Sequence, residues 1–174
     1  NRGAGLHIEA CKDLTLQTIS LINNQLVTGV DPQSMARIDA LGGGIYINQS
    51  STITLDFTNA LVSNNKAEKG GALAIDKLGQ NSKALTIRHG NFEHNEAAAL
   101  GGGIFAQEVL DLEVLQSSFS HHVADRGAAI YLAGAGASLG KQTIIDGVLF
   151  RDGHARAHAG AVLIEGIPGF LAQS

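Results

Sequence analysis

Three side chains that can bind metal ions, His94, His121 and Asp152, occupy equivalent positions in a repeat that runs through the chain. Imidazole and carboxylate groups are ligands for Zn²⁺, and imidazole also suits Ni²⁺. If successive copies of the repeat stack about 5 Å apart, the three groups could share one ion. A structural zinc site takes four ligands, and only His122 or His154 is near enough in sequence to complete it. We therefore favour solvated polar residues over a metal centre and expect no cofactor.

The carboxylates of the chain do not form a catalytic pair at equivalent positions. The outward positions that follow the first strand of each repeat hold Gln17, Asp56, Arg88, Leu115 and Asp146. Glycoside hydrolysis needs two carboxyl groups about 5–9.5 Å apart. Asp56 and Asp146 are three repeats apart, which is roughly 14 Å at the spacing of strands in a sheet. We therefore predict that the chain is not an enzyme and has no catalytic residues.

Charge and composition exclude several classes of protein. The 174 residues carry a net charge of −4 with histidine neutral, which is too acidic for a strong nucleic-acid footprint. The longest run of apolar residues and glycine, 97–106, is half the length of a membrane-spanning helix. Because free histidine has a pKa near 6.5, protonating all seven histidines would bring the net charge to about +3. We therefore predict that binding to a surface changes between about pH 7.5 and 5.5.

An internal repeat places these residues in the chain. A glycine-led unit recurs, and its aliphatic residues lie 26 to 32 positions apart, at Ile45, Leu73, Ile104, Ile130 and Val162. A second element recurs in phase, a large apolar residue followed three positions later by a small polar one. Its copies are Leu21 with Asn24, Leu61 with Asn64, Phe92 with Asn95, Phe119 with His122, and Phe150 with Gly153. Two signals that keep step over five copies show that the repeat is real.

The repeat predicts an all-β fold, a right-handed single-stranded parallel β-helix of about five to six rungs, where a rung is one turn of the coil. Each copy starts with alternating apolar and polar residues, as in Leu14-Thr15-Leu16, which is the pattern of a half-buried strand. We expect three short strands per turn, separated by corners. The alternative is a helical repeat, since residues 96–100 and 108–115 have good helix propensity. Glycine in every repeat argues against it, at about 1 kcal/mol each in a helix interior.

Stacking of the turns predicts columns of equivalent side chains. Asn24, Asn64 and Asn95 should form a ladder of side-chain amides at one corner, with His122 as a substitute hydrogen-bonding group and Gly153 as its end. Tight corners need positive φ angles or a close approach of two backbones, and glycine allows both. The glycines that we place at these corners are Gly43, Gly71, Gly102, Gly127 and Gly160.

The chain is expected to be one β-helix segment, residues 1–174, with an inserted loop at residues 25–40. Neither end offers a convincing cap for a solenoid, so we expect an internal stretch of a longer coil. Asn48-Gln49-Ser50 is a formal N-glycosylation sequence directly after a strand of the glycine-led unit. It matters only in a eukaryotic secretory protein.

The Gly-Gly-Ala/Gly-Ile and Phe-x-x-Asn elements resemble the repeats of the chlamydial polymorphic outer-membrane proteins and related right-handed β-helix proteins. The best copy joins Phe92-Glu93-His94-Asn95 to Gly102-Gly103-Ile104. The resemblance covers residues 14–164 and fails at His122 and Gly153, where the family pattern has Asn. It implies a surface-exposed or secreted β-helix, of the kind found in autotransporter passengers, with an adhesive role and no catalytic residues.

We therefore expect a non-catalytic scaffold or adhesin segment that is extracellular or on the cell surface, and associated with the outer membrane if the source is bacterial. Its partner would be a protein, an extracellular matrix or surface, or subunits of a larger assembly, and not a nucleic acid. The alternative is a carbohydrate-active β-helix enzyme of the polysaccharide lyase or glycosidase type. The chain has no Trp and only two Tyr, which argues against that alternative because sugar sites commonly use aromatic platforms.

Overall fold

The computed structural model describes residues 2–30, 33–34, 37–77, 85–109, 111–134 and 143–165. Within these ranges the regular structure is strand without helix, and the strands stack in parallel as a β-solenoid. The predicted all-β parallel solenoid is confirmed. The helical alternative is wrong, because residues 96–100 and 112–115 form strands. The right-handedness of the coil stays a prediction.

Four parallel sheets form the walls of the coil, and they hold six, five, five and four strands. The first sheet contains β1 (Leu6–Glu9), β6 (Ile45–Asn48), β10 (Leu73–Asp76), β14 (Ile104–Gln107), β18 (Ile130–Ala133) and β22 (Val162–Glu165). The second contains β2 (Leu14–Gln17), β7 (Ile53–Asp56), β11 (Leu85–Arg88), β15 (Leu112–Leu115) and β19 (Thr143–Asp146). The third contains β3 (Leu21–Ile22), β8 (Leu61–Ser63), β12 (Asn91–Glu93), β16 (Ser118–Ser120) and β20 (Leu149–Arg151). The fourth contains β9 (Lys66–Lys69), β13 (Glu96–Leu100), β17 (Val123–Arg126) and β21 (His154–His158).

The fourth sheet corrects the prediction of three strands per turn. Its strands contribute small residues to the interior, such as Ala67, Ala97 and Ala124, which are 3 %, 0 % and 0 % exposed. Ala67 and Ala97 are partners in adjacent strands. A strand whose inward residue is alanine lacks the alternation of large apolar and polar residues that reveals the other three sheets.

The aliphatic residues of the glycine-led unit form one file through the first sheet, as predicted. Leu73 pairs with Ile45 on one side and with Ile104 on the other. Ile130 continues the file from Ile104, and Val162 ends it. Ile45, Leu73, Ile104 and Ile130 are each at most 1 % exposed. Their burial in one continuous core sets the register of the whole coil.

The third sheet corrects the register of the second repeat. Val62, and not Leu61, is the partner of both Leu21 and Phe92. Further along the same file the rings of Phe92 and Phe119 stack with their centroids 4.6 Å apart. The sequence is ambiguous here because Leu61-Val62 and Asn64-Asn65 satisfy the repeat in two frames. Strand pairing selects the later frame.

The corner glycines occupy two different positions, which the predicted set mixed. The positive φ angle lies three residues before the aliphatic residue, at Gly70 (φ 65°) and Gly127 (φ 58°) among others. At the next position the backbones of adjacent rungs approach closely in several rungs, since a Cβ atom on Gly71 would lie 2.3 Å from the carbonyl oxygen of Gly102. Of the predicted corner glycines, Gly127 is thus of the first kind. The others lie at the second position, two residues before the aliphatic residue: Gly43, Gly71, Gly102 and Gly160.

The inserted segment leaves the coil where a strand of the fourth sheet would otherwise lie. It contains a short antiparallel pair, β4 (Gly29–Val30) with β5 (Arg37–Ile38). Gln25 bridges to Lys66 at the start of β9, and Leu41 bridges to Lys69 at its end. The insertion therefore replaces the middle of one fourth-sheet strand and emerges beside the first sheet.

Candidate functional site

A groove of about 430 Å³ lies where the inserted segment returns to the coil. One wall is formed by Ile38, Asp39 and Leu41, the last residues of the insertion and the first of the next rung. The groove is also lined by Asp76, Lys77 and Gln107 at the carboxyl ends of β10 and β14, and by Arg2, Lys69 and Phe105. Its volume is within the range of small-molecule sites, roughly 300–1,000 Å³.

The groove adjoins a column of aromatic side chains on the outer face of the first sheet. Because side chains alternate along a strand, the residue after each aliphatic residue points outward. In successive rungs these residues are Tyr46, Ala74, Phe105 and Tyr131, which are 0 %, 0 %, 2 % and 5 % exposed. Together with Leu41 they form a second apolar cluster outside the main core. This column was not predicted from the sequence, although an aromatic residue follows the aliphatic one in Ile45-Tyr46, Ile104-Phe105 and Ile130-Tyr131.

Cations cover the aromatic rings of this column. The Arg2 guanidinium lies 5.2 Å from the centroid of the Tyr46 ring, and the Lys69 ammonium lies 5.8 Å from that of Phe105. Arg126 is placed in the same way over Tyr131, at 5.7 Å. Such contacts are each worth about 0.5–1 kcal/mol when exposed and about 2 kcal/mol when desolvated. The rings therefore hold a row of positive groups on the outer face.

These cations come from one column at the junction of the fourth and first sheets. Leu41 bridges to Arg2 and to Lys69, and Leu100 pairs with Lys69 and with Arg126. The column therefore alternates Arg, Leu, Lys, Leu, Arg along the coil. Neighbouring cations are two rungs apart, roughly 9.6 Å at the usual strand spacing.

The groove contains both donors and acceptors of hydrogen bonds. Lys69 forms an ion pair with Asp39, with Nζ and Oδ2 2.8 Å apart. Lys77 is exposed and Asp76 is half-buried, while Gln107 is the strand partner of Asp76. Among the residues that the structure describes, neither Arg2 nor Lys77 has an ion-pair partner.

The hydroxyl group of Tyr46 is buried beneath this end of the groove. It makes no hydrogen bond of ordinary geometry to a described residue. Burial raises the pKa of Tyr46 to about 12; the charge of Arg2 opposes the shift, and the carboxylates of Asp76 and Glu9 add to it. The hydroxyl group is therefore a neutral donor at all ordinary pH values.

The three candidate metal ligands lie in one column, as their spacing predicted. His94 and His121 stack face to face with centroids 4.6 Å apart and planes inclined by 4°. The Nε2 atom of His121 is 3.5 Å from Oδ2 of Asp152. All three residues have positive φ angles, 51°, 56° and 49°. Across the described ranges, no group of three or more His, Cys, Asp and Glu side chains is arranged to hold a metal ion.

The amide ladder is present, with Asn65 in the place predicted for Asn64. Asn24 Nδ2 donates to Asn65 Oδ1 over 2.9 Å, and Asn65 Nδ2 donates to Asn95 Oδ1 over 2.9 Å. Asn65 and Asn95 are fully buried, and each also donates to a backbone carbonyl in the preceding rung. Asn64 is exposed with φ 53°, in the column that His94 continues. Asparagine tolerates that left-handed conformation, which explains why two adjacent Asn residues serve two different purposes.

His122 continues the ladder as predicted. Its Nδ1 atom accepts a hydrogen bond of 3.1 Å from the backbone amide of Asn95, so the proton of the neutral ring is on Nε2. Burial lowers the pKa of His122 to about 4; backbone contacts oppose the shift, and His94 and His121 add to it. The ladder therefore depends on an uncharged imidazole. Gly153 has no side chain with which to extend it.

The outward column of the second sheet has the predicted register, but its carboxylate is engaged in hydrogen bonds. Asp56 Oδ1 accepts from Thr58 Oγ1 over 2.7 Å and lies 3.1 Å from His89 Nδ1. Its Oδ2 atom accepts from Arg88 Nε over 3.1 Å. The Thr58 hydroxyl and His89 hold the pKa of Asp56 far below its usual range, and the charge of Arg88 adds to this. Gln17 and Arg88, its neighbours in the column, carry no carboxylate.

The formal glycosylation sequence is not accessible in the folded chain. Asn48 is 6 % exposed and Ser50 is fully buried. The Ser50 hydroxyl donates to the carbonyl oxygen of Asn48, and Asn48 Nδ2 donates to Glu9. An enzyme that modifies Asn48 would have to act before this corner folds.

Comparisons with known proteins do not assign the chain to a family. No family model matches the chain, and no significantly similar curated protein or solved structure was found. Within the ranges that the structure describes, there is no helix with the length and apolar character needed to cross a membrane.

Proposed function

We propose that the chain is part of a non-catalytic β-helix scaffold that lies outside the cell or on its surface. It would present its strand faces and inserted segment to a protein, a matrix or a neighbouring subunit. The resemblance of its repeats to those of the chlamydial polymorphic outer-membrane proteins supports an adhesive role of the autotransporter-passenger type. In a bacterial source this would place it at the outer membrane.

The state of Asp56 is the observation that best supports a scaffold over an enzyme. A general acid needs a raised pKa, and a nucleophile needs a carboxylate oxygen that is free to approach the substrate. Asp56 has a lowered pKa, and both of its oxygens are occupied by Thr58, Arg88 and His89. This network links adjacent rungs, which is a structural role.

The proposal is tested by measuring surface binding and polysaccharide cleavage with one preparation of the purified chain. We expect saturable binding to surfaces coated with an extracellular-matrix extract, and none to surfaces coated with serum albumin. We also expect no release of reducing ends or unsaturated sugars from a panel of neutral and acidic polysaccharides. Far-ultraviolet circular dichroism would verify that each sample is folded.

Two results would contradict the scaffold. One is absence of binding to every matrix and cell surface tried. The other is turnover of a polysaccharide that the Asp56→Asn variant lacks while it keeps the spectrum of the parent. The second result would support the carbohydrate-active alternative and would identify Asp56 as its catalytic group.

A further inference from the structure

The groove beside the inserted segment combines two cations that have no ion-pair partner among the described residues with acceptors of hydrogen bonds. Arg2 and Lys77 offer positive charge, and Asp76 and Gln107 offer acceptors on adjacent strands. From the rung of Arg2 to that of Gln107 the groove crosses three rung spacings, roughly 14 Å. The groove is therefore long enough for a ligand of a few linked units.

A peptide is a poor match for this groove. One mode by which extended peptides bind is addition of a strand to a free sheet edge. The first-sheet strands that line the groove, β10 and β14, are paired on both sides, so they have no free edge. Contacts with a ligand must come from side chains. Carboxylate, amide and cationic side chains are the groups that bind hydroxyls and carboxylates directly.

We propose that this groove binds a short acidic saccharide through charged and amide side chains and not by stacking on an aromatic platform, since the rings of this face are buried. Arg2 and Lys77 supply positive charge at two points of the groove for its carboxylate groups, and Asp76 and Gln107 accept hydrogen bonds from its hydroxyls. Lys69 stays paired with Asp39, and this ion pair lines the groove without contributing a free charge. The assignment rests on the proposed scaffold function, and it specifies an acidic polysaccharide as the kind of matrix component that the scaffold recognises.

The probe is the disaccharide of glucuronic acid and N-acetylglucosamine, and its methyl ester serves as the matched uncharged probe. Binding to the full chain is measured by isothermal titration calorimetry at low salt. We expect saturable binding of the acid and at least about tenfold weaker binding of the ester, since the ester cannot form the charge-assisted hydrogen bonds of the carboxylate. Lys77→Gln and Arg2→Gln should each weaken binding of the acid by a similar factor.

Arg151→Gln is the matched control, because Arg151 is an exposed cation of the third sheet, away from the groove. It should change the affinity less than about twofold. The proposal is overturned if the acid does not bind, if the ester binds equally well, or if Arg151→Gln weakens binding as much as Lys77→Gln does. Displacement of the disaccharide by an equal concentration of a hexaglutamate peptide would also overturn it, since the site would then select charge alone. Failure here together with retained matrix binding refutes the groove and leaves the scaffold function intact.

Discussion

Because the imidazole of His122 is buried, the coil loses stability in mild acid. In the folded chain its pKa is about 4, whereas an exposed histidine in the unfolded chain has a pKa near 6.5. The neutral form is thus favoured by folding. This stabilisation is complete above about pH 6.5 and is lost as the pH falls towards 4.

The size of the effect follows from the difference between the two pKa values. About 2.5 pKa units at 1.36 kcal/mol each correspond to about 3 kcal/mol between pH 7 and pH 4. This is a large share of the stability of a domain, which is about 5–15 kcal/mol. Most of the loss should occur between about pH 6 and 4.5, where the unfolded chain takes up a proton and the folded chain does not.

The assay is urea denaturation followed by circular dichroism at intervals of pH, with the parent chain compared with His122→Asn. Asparagine at this position extends the ladder of Asn65 and Asn95 and cannot be protonated. We expect the free energy of unfolding of the parent to fall by about 2–3 kcal/mol more than that of the variant between pH 7 and 4.5. His121→Asn is the control, because His121 is 51 % exposed and its loss should leave most of the difference in place. Equal pH dependence in the parent and His122→Asn would refute the reasoning.

The remaining predictions also pair a change with a control where the chain offers one. Asn65→Ala should lower the free energy of unfolding by about 2–4 kcal/mol, because it leaves buried hydrogen-bonding groups unpaired, whereas the exposed Asn64→Gly should change it by less than about 0.5 kcal/mol; denaturant titration measures both. Gly71→Ala should destabilise the coil by more than about 3 kcal/mol, since its Cβ would lie 2.3 Å from a carbonyl oxygen. Gly134→Ala should cost only the roughly 1 kcal/mol of a left-handed alanine, because its nearest contact would be at 3.8 Å; equal losses in the two variants would contradict the close approach. The Asp56 carboxyl carbon should show no titration in NMR spectra from pH 7 down to about 3, because hydrogen bonds from Thr58 and His89 lower its pKa; a midpoint near 4 would contradict the network.

The period of the coil and its interior columns of side chains could be predicted because large apolar residues recur once per turn. Ile45, Leu73 and Ile104 repeat at the length of one turn and must face the same core, so their spacing fixed the register of the first sheet. The fourth sheet could not be recognised in the same way. Its inward residues are alanines such as Ala97, and alanine is a strong helix former that is depleted in strands.

Two features of the site needed the pairing of strands as well as the sequence. Asn64 and Asn65 fit the repeat pattern equally well, and only the pairing of Val62 with Phe92 places Asn65 in the interior. The alternation of Arg2, Leu41 and Lys69 in one column is invisible in the sequence. The insertion makes the distance between the first two residues longer than one regular repeat, so their equivalence appears only when they lie side by side.

The position of the insertion explains why the groove lies on one part of an otherwise repetitive surface. A solenoid repeats the same outward positions in every turn, so its strand faces alone do not single out one rung. The insertion leaves and re-enters the coil between Gln25 and Leu41, next to the outer face of the first sheet. It thereby adds Ile38 and Asp39 as a wall to a face that already carries the aromatic column and its cations. We therefore infer that the regular repeat supplies the rigid framework, and that one irregular segment determines where a ligand binds.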